Sequence, residues 1–117
     1  MGPRVLIVDD HPSFRASARV LLEAEGFEVI GEADNGASAL TEVARLCPEV
    51  VLLDVQLPDI DGFDVAARLT GGEDAPPVIL VSSRDGSDFG PLVTRSGARG
   101  FVPKAELSGD RVQELLA

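Results

Sequence analysis

The sequence has 117 residues, 20 Asp and Glu against 10 Lys and Arg, a net charge of −10 and one cysteine. A chain of that length makes one domain able to bury about two-thirds of the surface its unfolded form exposes, and 44% hydrophobic with 26% charged residues excludes a disordered tail. The acidity excludes phosphate backbones and anionic membranes as direct partners of these residues; Cys47 alone excludes a disulfide framework, and no apolar run nears the ~18–20 residues of a bilayer span, so the reading is a cytoplasmic protein.

The first apolar run, 5–8, leads straight into Asp9-Asp10 and is too short for a secretory leader. Residues 13–25 place Phe14, Ala18, Leu21 and Leu22 on one helical stripe and stop at Gly26. A strand over 27–30 is followed by a helix over 37–46, opened by Asp34-Asn35 as caps and closed before Pro48. The run 50–53 is a third strand, and 63–69 a shorter helix stopped by Gly71-Gly72. The fourth strand, 78–81, precedes a stretch in which Gly86, Gly90 and Pro91 dilute any helix until 92–96. Residues 100–102 form a fifth strand, and Ser108 or Asp110 caps a last helix through Val112, Leu115 and Leu116. Cys47 reads as a small buried apolar residue.

Four of the five strands lack a polar alternate, which suits a parallel sheet covered on both faces. Parallel strands need right-handed crossovers, so five strand–helix pairs give an α/β, doubly wound (βα)5 open sheet with helices on both faces. Ligands of such sheets bind beyond the carboxyl ends of the strands, where the winding reverses. Those ends carry Asp9 and Asp10, Asp54, Ser82 and Ser83, and Lys104; the second strand, ending near Gly31-Glu32, offers nothing chemical.

Three carboxylates in one crevice raise each other's pKa, so a cation must compensate. Two are available: a divalent ion on oxygen ligands, with Mg²⁺ suited to carboxylates plus phosphate oxygens, and the ammonium of Lys104, the single lysine of the chain. Ser82 supplies a hydroxyl for a phosphoryl oxygen or a ligand. These are the parts of phosphoryl transfer, with Asp54 as candidate nucleophile forming an aspartyl phosphate. His11 reads as a structural position beside Pro12. Asp59-Ile60-Asp61-Gly62 fails as a calcium loop, because its first and twelfth positions would be Leu57 and Arg68. There is no G-x-x-x-x-G-K-[ST] or G-x-G-x-x-G, which argues against a nucleotide-binding domain.

Four segments, Val5-Leu6-Ile7-Val8-Asp9-Asp10-His11-Pro12, the stretch 51–62 around Asp54, Val81-Ser82-Ser83, and Gly97-Ala98-Arg99-Gly100-Phe101-Val102-Pro103-Lys104, resemble the receiver domain of two-component response regulators. The resemblance covers residues 1–117 as one receiver domain, with no output domain in the chain. It implies a flavodoxin-like five-stranded sheet of order 2-1-3-4-5. It also implies that Asp54 accepts a phosphoryl group from the phosphohistidine of a sensor histidine kinase. Asp10 and Asp54 then hold Mg²⁺ with the Gln56 backbone carbonyl, Asp9 joins the metal site mainly through a bound water, and Lys104 and Ser82 contact the phosphoryl oxygens.

By the same resemblance, Phe101 turns inward on phosphorylation and reshapes the face of the fourth helix, fifth strand and fifth helix, a candidate homodimer surface. Phe101 reads equally well as plain core. Gln56 and Arg84 occupy the positions that tune phosphate lifetime in similar proteins. Pro103 precedes Lys104 and Ala105 follows it, so the cis-proline of many relatives after this lysine is not carried over. The stretch 10–15 resembles receivers followed by a helix-turn-helix domain, which makes transcription regulation the expected output. On this reading the chain is a stoichiometric phosphoacceptor with slow self-dephosphorylation, not an enzyme. The alternatives are a phosphorylation-independent interaction module and an aspartyl-nucleophile Mg²⁺-dependent phosphatase.

Overall fold

The hydrophobic runs at 5–8, 50–53 and 78–81 come together as the centre of a parallel sheet in the computed structural model, which describes residues 2–72, 74–83 and 89–117. Its elements alternate as β1 (Arg4–Val8), α1 (Pro12–Ala24), β2 (Glu28–Ala33), α2 (Gly36–Leu46), β3 (Val50–Asp54), α3 (Gly62–Thr70), β4 (Val78–Ser82), α4 (Gly90–Ser96), β5 (Gly100–Pro103) and α5 (Gly109–Leu116), with a 3-10 turn over Lys104–Glu106 before α5. The order is β2-β1-β3-β4-β5, and all four pairings are parallel.

Every residue of β3 and β4 is buried, and the two-residue side-chain period divides the core between the faces. Val5, Ile7, Leu52 and Val81 pack with Leu22 of α1 and Val112 of α5 on one side. Leu6, Val8, Leu53 and Leu80 pack with Ala39 of α2 and Val65 of α3 on the other. The winding reverses at β1, which is flanked by β2 and β3, so the crevice opens over the ends of β1 and β3.

Local signals set the boundaries. Asn35 caps α2, accepting from the Ser38 N–H at 2.8 Å, and Ser108, not Asp110, caps α5, accepting from the Arg111 N–H at 3.1 Å. Three expectations change. The second strand runs on to Ala33, past its expected end, because its register with β1 skips a residue: Val5 faces Val29 and Leu6 faces Gly31, leaving Ile30 as a bulge on an edge strand. Gly90 and Pro91 open α4 instead of diluting it, since proline suits the first helical turn, and Gly97 at φ 80° closes it; Gly86 lies outside the described residues. Cys47 is exposed, not buried, because it terminates α2 in the left-handed region at φ 49°, which turns it out of the core stripe. Among the described residues no peptide bond is cis, that of Lys104 and Ala105 included, and no helix is long and apolar enough to cross a membrane.

Candidate functional site

Strand register alone assembles the crevice. Val8 of β1 faces Leu53 of β3, so the residues that follow, Asp9 and Asp54, leave neighbouring strands side by side. Asp54 faces Val81, which puts Ser82 one step further along β4, and Ser82 faces Pro103, which puts Lys104 just beyond β5. The loop 9–11 adds Asp10. The fold thus brings Asp9, Asp10, Asp54, Ser82 and Lys104 to one end of the sheet; Arg84 lies outside the described residues.

Asp9 is fully buried. Its Oδ1 accepts from the His11 N–H at 2.8 Å and lies 3.0 Å from His11 Nδ1. Its Oδ2 lies 2.6 Å from Lys104 Nζ, a charge contact without hydrogen-bond geometry, so no hydrogen bond reaches this buried oxygen. Asp10 is exposed, its Oδ1 3.1 Å from the same imidazole nitrogen. Asp54 is buried; Oδ1 accepts from the Gln56 N–H at 3.2 Å and Oδ2 is 3.5 Å from Lys104 Nζ. Burial pushes the Asp54 carboxyl above the ordinary range and the charges of Asp9 and Asp10 push the same way, against the Gln56 N–H and the Lys104 ammonium.

Ligand atoms of Asp9, Asp10, His11 and Asp54 all lie within 4.8 Å of one another. The three carboxylates are hard oxygen donors of the kind Mg²⁺ takes, and the buried Asp9 Oδ2 without a hydrogen bond is an acceptor that an ion or its water would satisfy. The donor set therefore fits Mg²⁺; the imidazole contributes by holding Asp9 and Asp10.

The loop after Asp54 is clamped from three sides. The Gly62 N–H donates to the Val55 carbonyl at 2.9 Å, and a Cβ at position 62 would land on the Asp54 carbonyl oxygen, so only glycine allows the chain to return this close. Asp61 caps α3, accepting from the Phe63 N–H at 2.7 Å. Asp59 accepts from the N–H groups of Gly36 and Ala37 at the start of α2, at 2.7 and 3.0 Å, which holds its carboxyl below the usual range. Phe101, half-buried, meets Phe89 at 5.7 Å between ring centroids, and Phe89 meets Phe63 at 5.6 Å.

Three neighbours of the site carried little sequence signal. His11 packs against both acids as well as opening α1. The Arg15 guanidinium donates to the Asp9 carbonyl at 2.7 Å and to Glu32 at 2.9 Å; desolvation acts to raise the Glu32 pKa, but hydrogen bonds from Arg19 and Arg15 bring it below the ordinary range. Lys104 Nζ sits 4.5 Å from the centroid of the Phe14 ring.

Residues 5–116 match the family model of the response regulator receiver domain. Among curated proteins the chain is 45% identical over 106 residues to BvgA of Bordetella pertussis, named as a transcription regulator of virulence factors, covering 91% of this chain and 51% of that protein. It is 35% identical over 101 residues to the DNA-binding transcriptional activator EvgA of Escherichia coli, covering 86% and 50%. The chain thus spans about half the length of these relatives. Among solved structures, the signal receiver domain of the response regulator NarL from Mycobacterium tuberculosis superposes with a TM-score of 0.88 at 35% identity, over 98% of this chain and 96% of that one.

Proposed function

The chain belongs to the response regulator receiver family, and from that premise we propose that Asp54 is the phosphoacceptor of a two-component system, charged by the phosphohistidine of a sensor histidine kinase. The observation that carries this is the position of Asp54: a buried carboxylate beside Asp9 and Asp10, 3.5 Å from the ammonium of Lys104. A carboxylate oxygen of Asp54 attacks phosphorus, the P–O bond forms as the P–N bond to the kinase imidazole breaks, and the departing nitrogen takes up a proton. Burial strips water from the nucleophile, and Lys104 and Ser82 meet the transferred oxygens.

Asp9, Asp10, Asp54 and the Gln56 carbonyl would hold Mg²⁺, whose chemistry is to neutralise charge shared between the carboxylates and the incoming phosphoryl oxygens. Phosphorylation then draws the Ser82 hydroxyl toward the phosphate and lets Phe101 turn inward, leaving its contact with Phe89 and altering the α4–β5–α5 face, through which two copies pair. Gln56 and Arg84 set how long the phosphate survives. On this reading the transfer is stoichiometric and takes place in the cytoplasm. It controls transcription through an output unit, and for that output alone the names of the relatives are the support.

The test is incubation with acetyl phosphate with and without Mg²⁺. One acid-labile phosphoryl group per chain in Mg²⁺, and none in EDTA, is the expected result; absence of labelling in Mg²⁺ overturns the reading.

A further inference from the structure

Lys104 has two anchors in the crevice, Asp9 and Asp54, and a third neighbour of a different kind. Its Nζ stands 4.5 Å from the centroid of Phe14, in the first turn of α1, while its side chain is only 15% exposed. Phe14 itself is half-buried and packs against the core layer under α1 and α5, so its ring is held by that layer. An ammonium at that distance is attracted by the negative face of the ring, and more strongly where water is largely excluded.

We propose that Phe14 is the positioning residue for Lys104, its ring face fixing the ammonium over the acid crevice. This rests on the phosphoacceptor reading. A ring suits the task better than a third carboxylate. It attracts the cation through its quadrupole and engages no directed N–H, so the ammonium donors stay available to phosphoryl oxygens. A further acid beside Asp9 and Asp10 would also push the Asp54 carboxyl higher still. Without the ring, the flexible four-carbon stem of Lys104 is steered by two carboxylates at unequal distances, 2.6 Å to Asp9 and 3.5 Å to Asp54, and spends more of its time on Asp9.

Two readouts test this. Lys104 is the only lysine, so lysine-selective isotope labelling gives a single side-chain signal. Its ε-methylene protons are expected upfield of a free lysine because of the ring current, and are expected to return toward the free position in Phe14→Leu. Replacing Phe14 with 4-fluoro-, 3,5-difluoro- and 3,4,5-trifluorophenylalanine keeps ring size while weakening the quadrupole. The rate of labelling by acetyl phosphate in Mg²⁺ is expected to fall stepwise along that series, by roughly three- to tenfold in all. An unshifted lysine signal in Phe14→Leu, or a rate that is flat along the fluorinated series, overturns the proposal. A wild-type chain that takes no label at all overturns the phosphoacceptor reading instead, so the two failures are distinguishable.

Discussion

Asp59 accepts a hydrogen bond from the N–H of Gly36 at 2.7 Å across 23 positions of sequence, which ties the loop that follows Asp54 to the first turn of α2. The same carboxylate takes the Ala37 N–H at 3.0 Å, so two of the helix donors that lack an intrahelical partner are met from outside the helix. With its folded pKa lowered by these donors, Asp59 adds stability that is complete above the ordinary carboxylate pKa of about 3.9 and is lost as pH falls through the lower folded value. Asp59→Ala is therefore expected to melt below the wild type at neutral pH, with the gap closing only under pH 3.9; melting curves from pH 3 to 7 check it.

Gly62→Ala probes the close return of the chain onto β3. Its methyl group would collide with the Asp54 carbonyl and the Val55 backbone, neither of which is a flexible side-chain end. The expected cost is about 1–3 kcal/mol, the usual range for forced overpacking. Gly72 has nothing within 4 Å of a built Cβ, so Gly72→Ala is expected to stay within about 0.5 kcal/mol of the wild type in urea unfolding.

Asp54 itself burdens the metal-free fold. Its folded pKa is raised by burial, so it destabilises the folded state once pH exceeds the unfolded value, fully so above the folded one. In EDTA, Asp54→Asn is expected to melt a few degrees above the wild type at neutral pH. The advantage is expected to fade as pH falls from the raised folded pKa to about 3.9.

A divalent ion held by these carboxylates would compensate the same negative charge as Lys104. Removing the ammonium leaves Asp9 and Asp54 facing each other without it. Lys104→Ala is expected to bind Mg²⁺ several-fold more tightly by calorimetry while taking phosphoryl groups from acetyl phosphate about tenfold more slowly or worse.

The strands and the acids at their ends are legible because both depend on short-range pattern, whereas the order 2-1-3-4-5 follows only from the resemblance to receiver domains. Apolar runs without alternation identified β3 and β4 as strands covered on both faces, and the polar residue that ends each run is by construction at the ligand-binding edge. What was not legible depends on where the chain meets itself. Ile30 is as β-branched as its neighbours, and only the register against β1 makes it a bulge. Cys47 looks apolar, yet its place after the last turn of α2 turns it out to solvent. Phe14 reads as one more member of the α1 core stripe, and nothing local to it shows that Lys104, far along the chain, sits over its ring. Arg84, expected from sequence position to tune phosphate lifetime, falls outside the described residues.

A phosphoryl group carried on Asp54 is an acyl phosphate, which hydride reduces. The most direct measurement is to label the chain with acetyl phosphate in Mg²⁺, reduce it with borohydride, and map the peptides by mass spectrometry. An aspartyl phosphate is reduced to homoserine, so homoserine is expected at position 54 and nowhere else. Homoserine at Asp9 or Asp10, or a labelled chain in which position 54 remains aspartate, would contradict it.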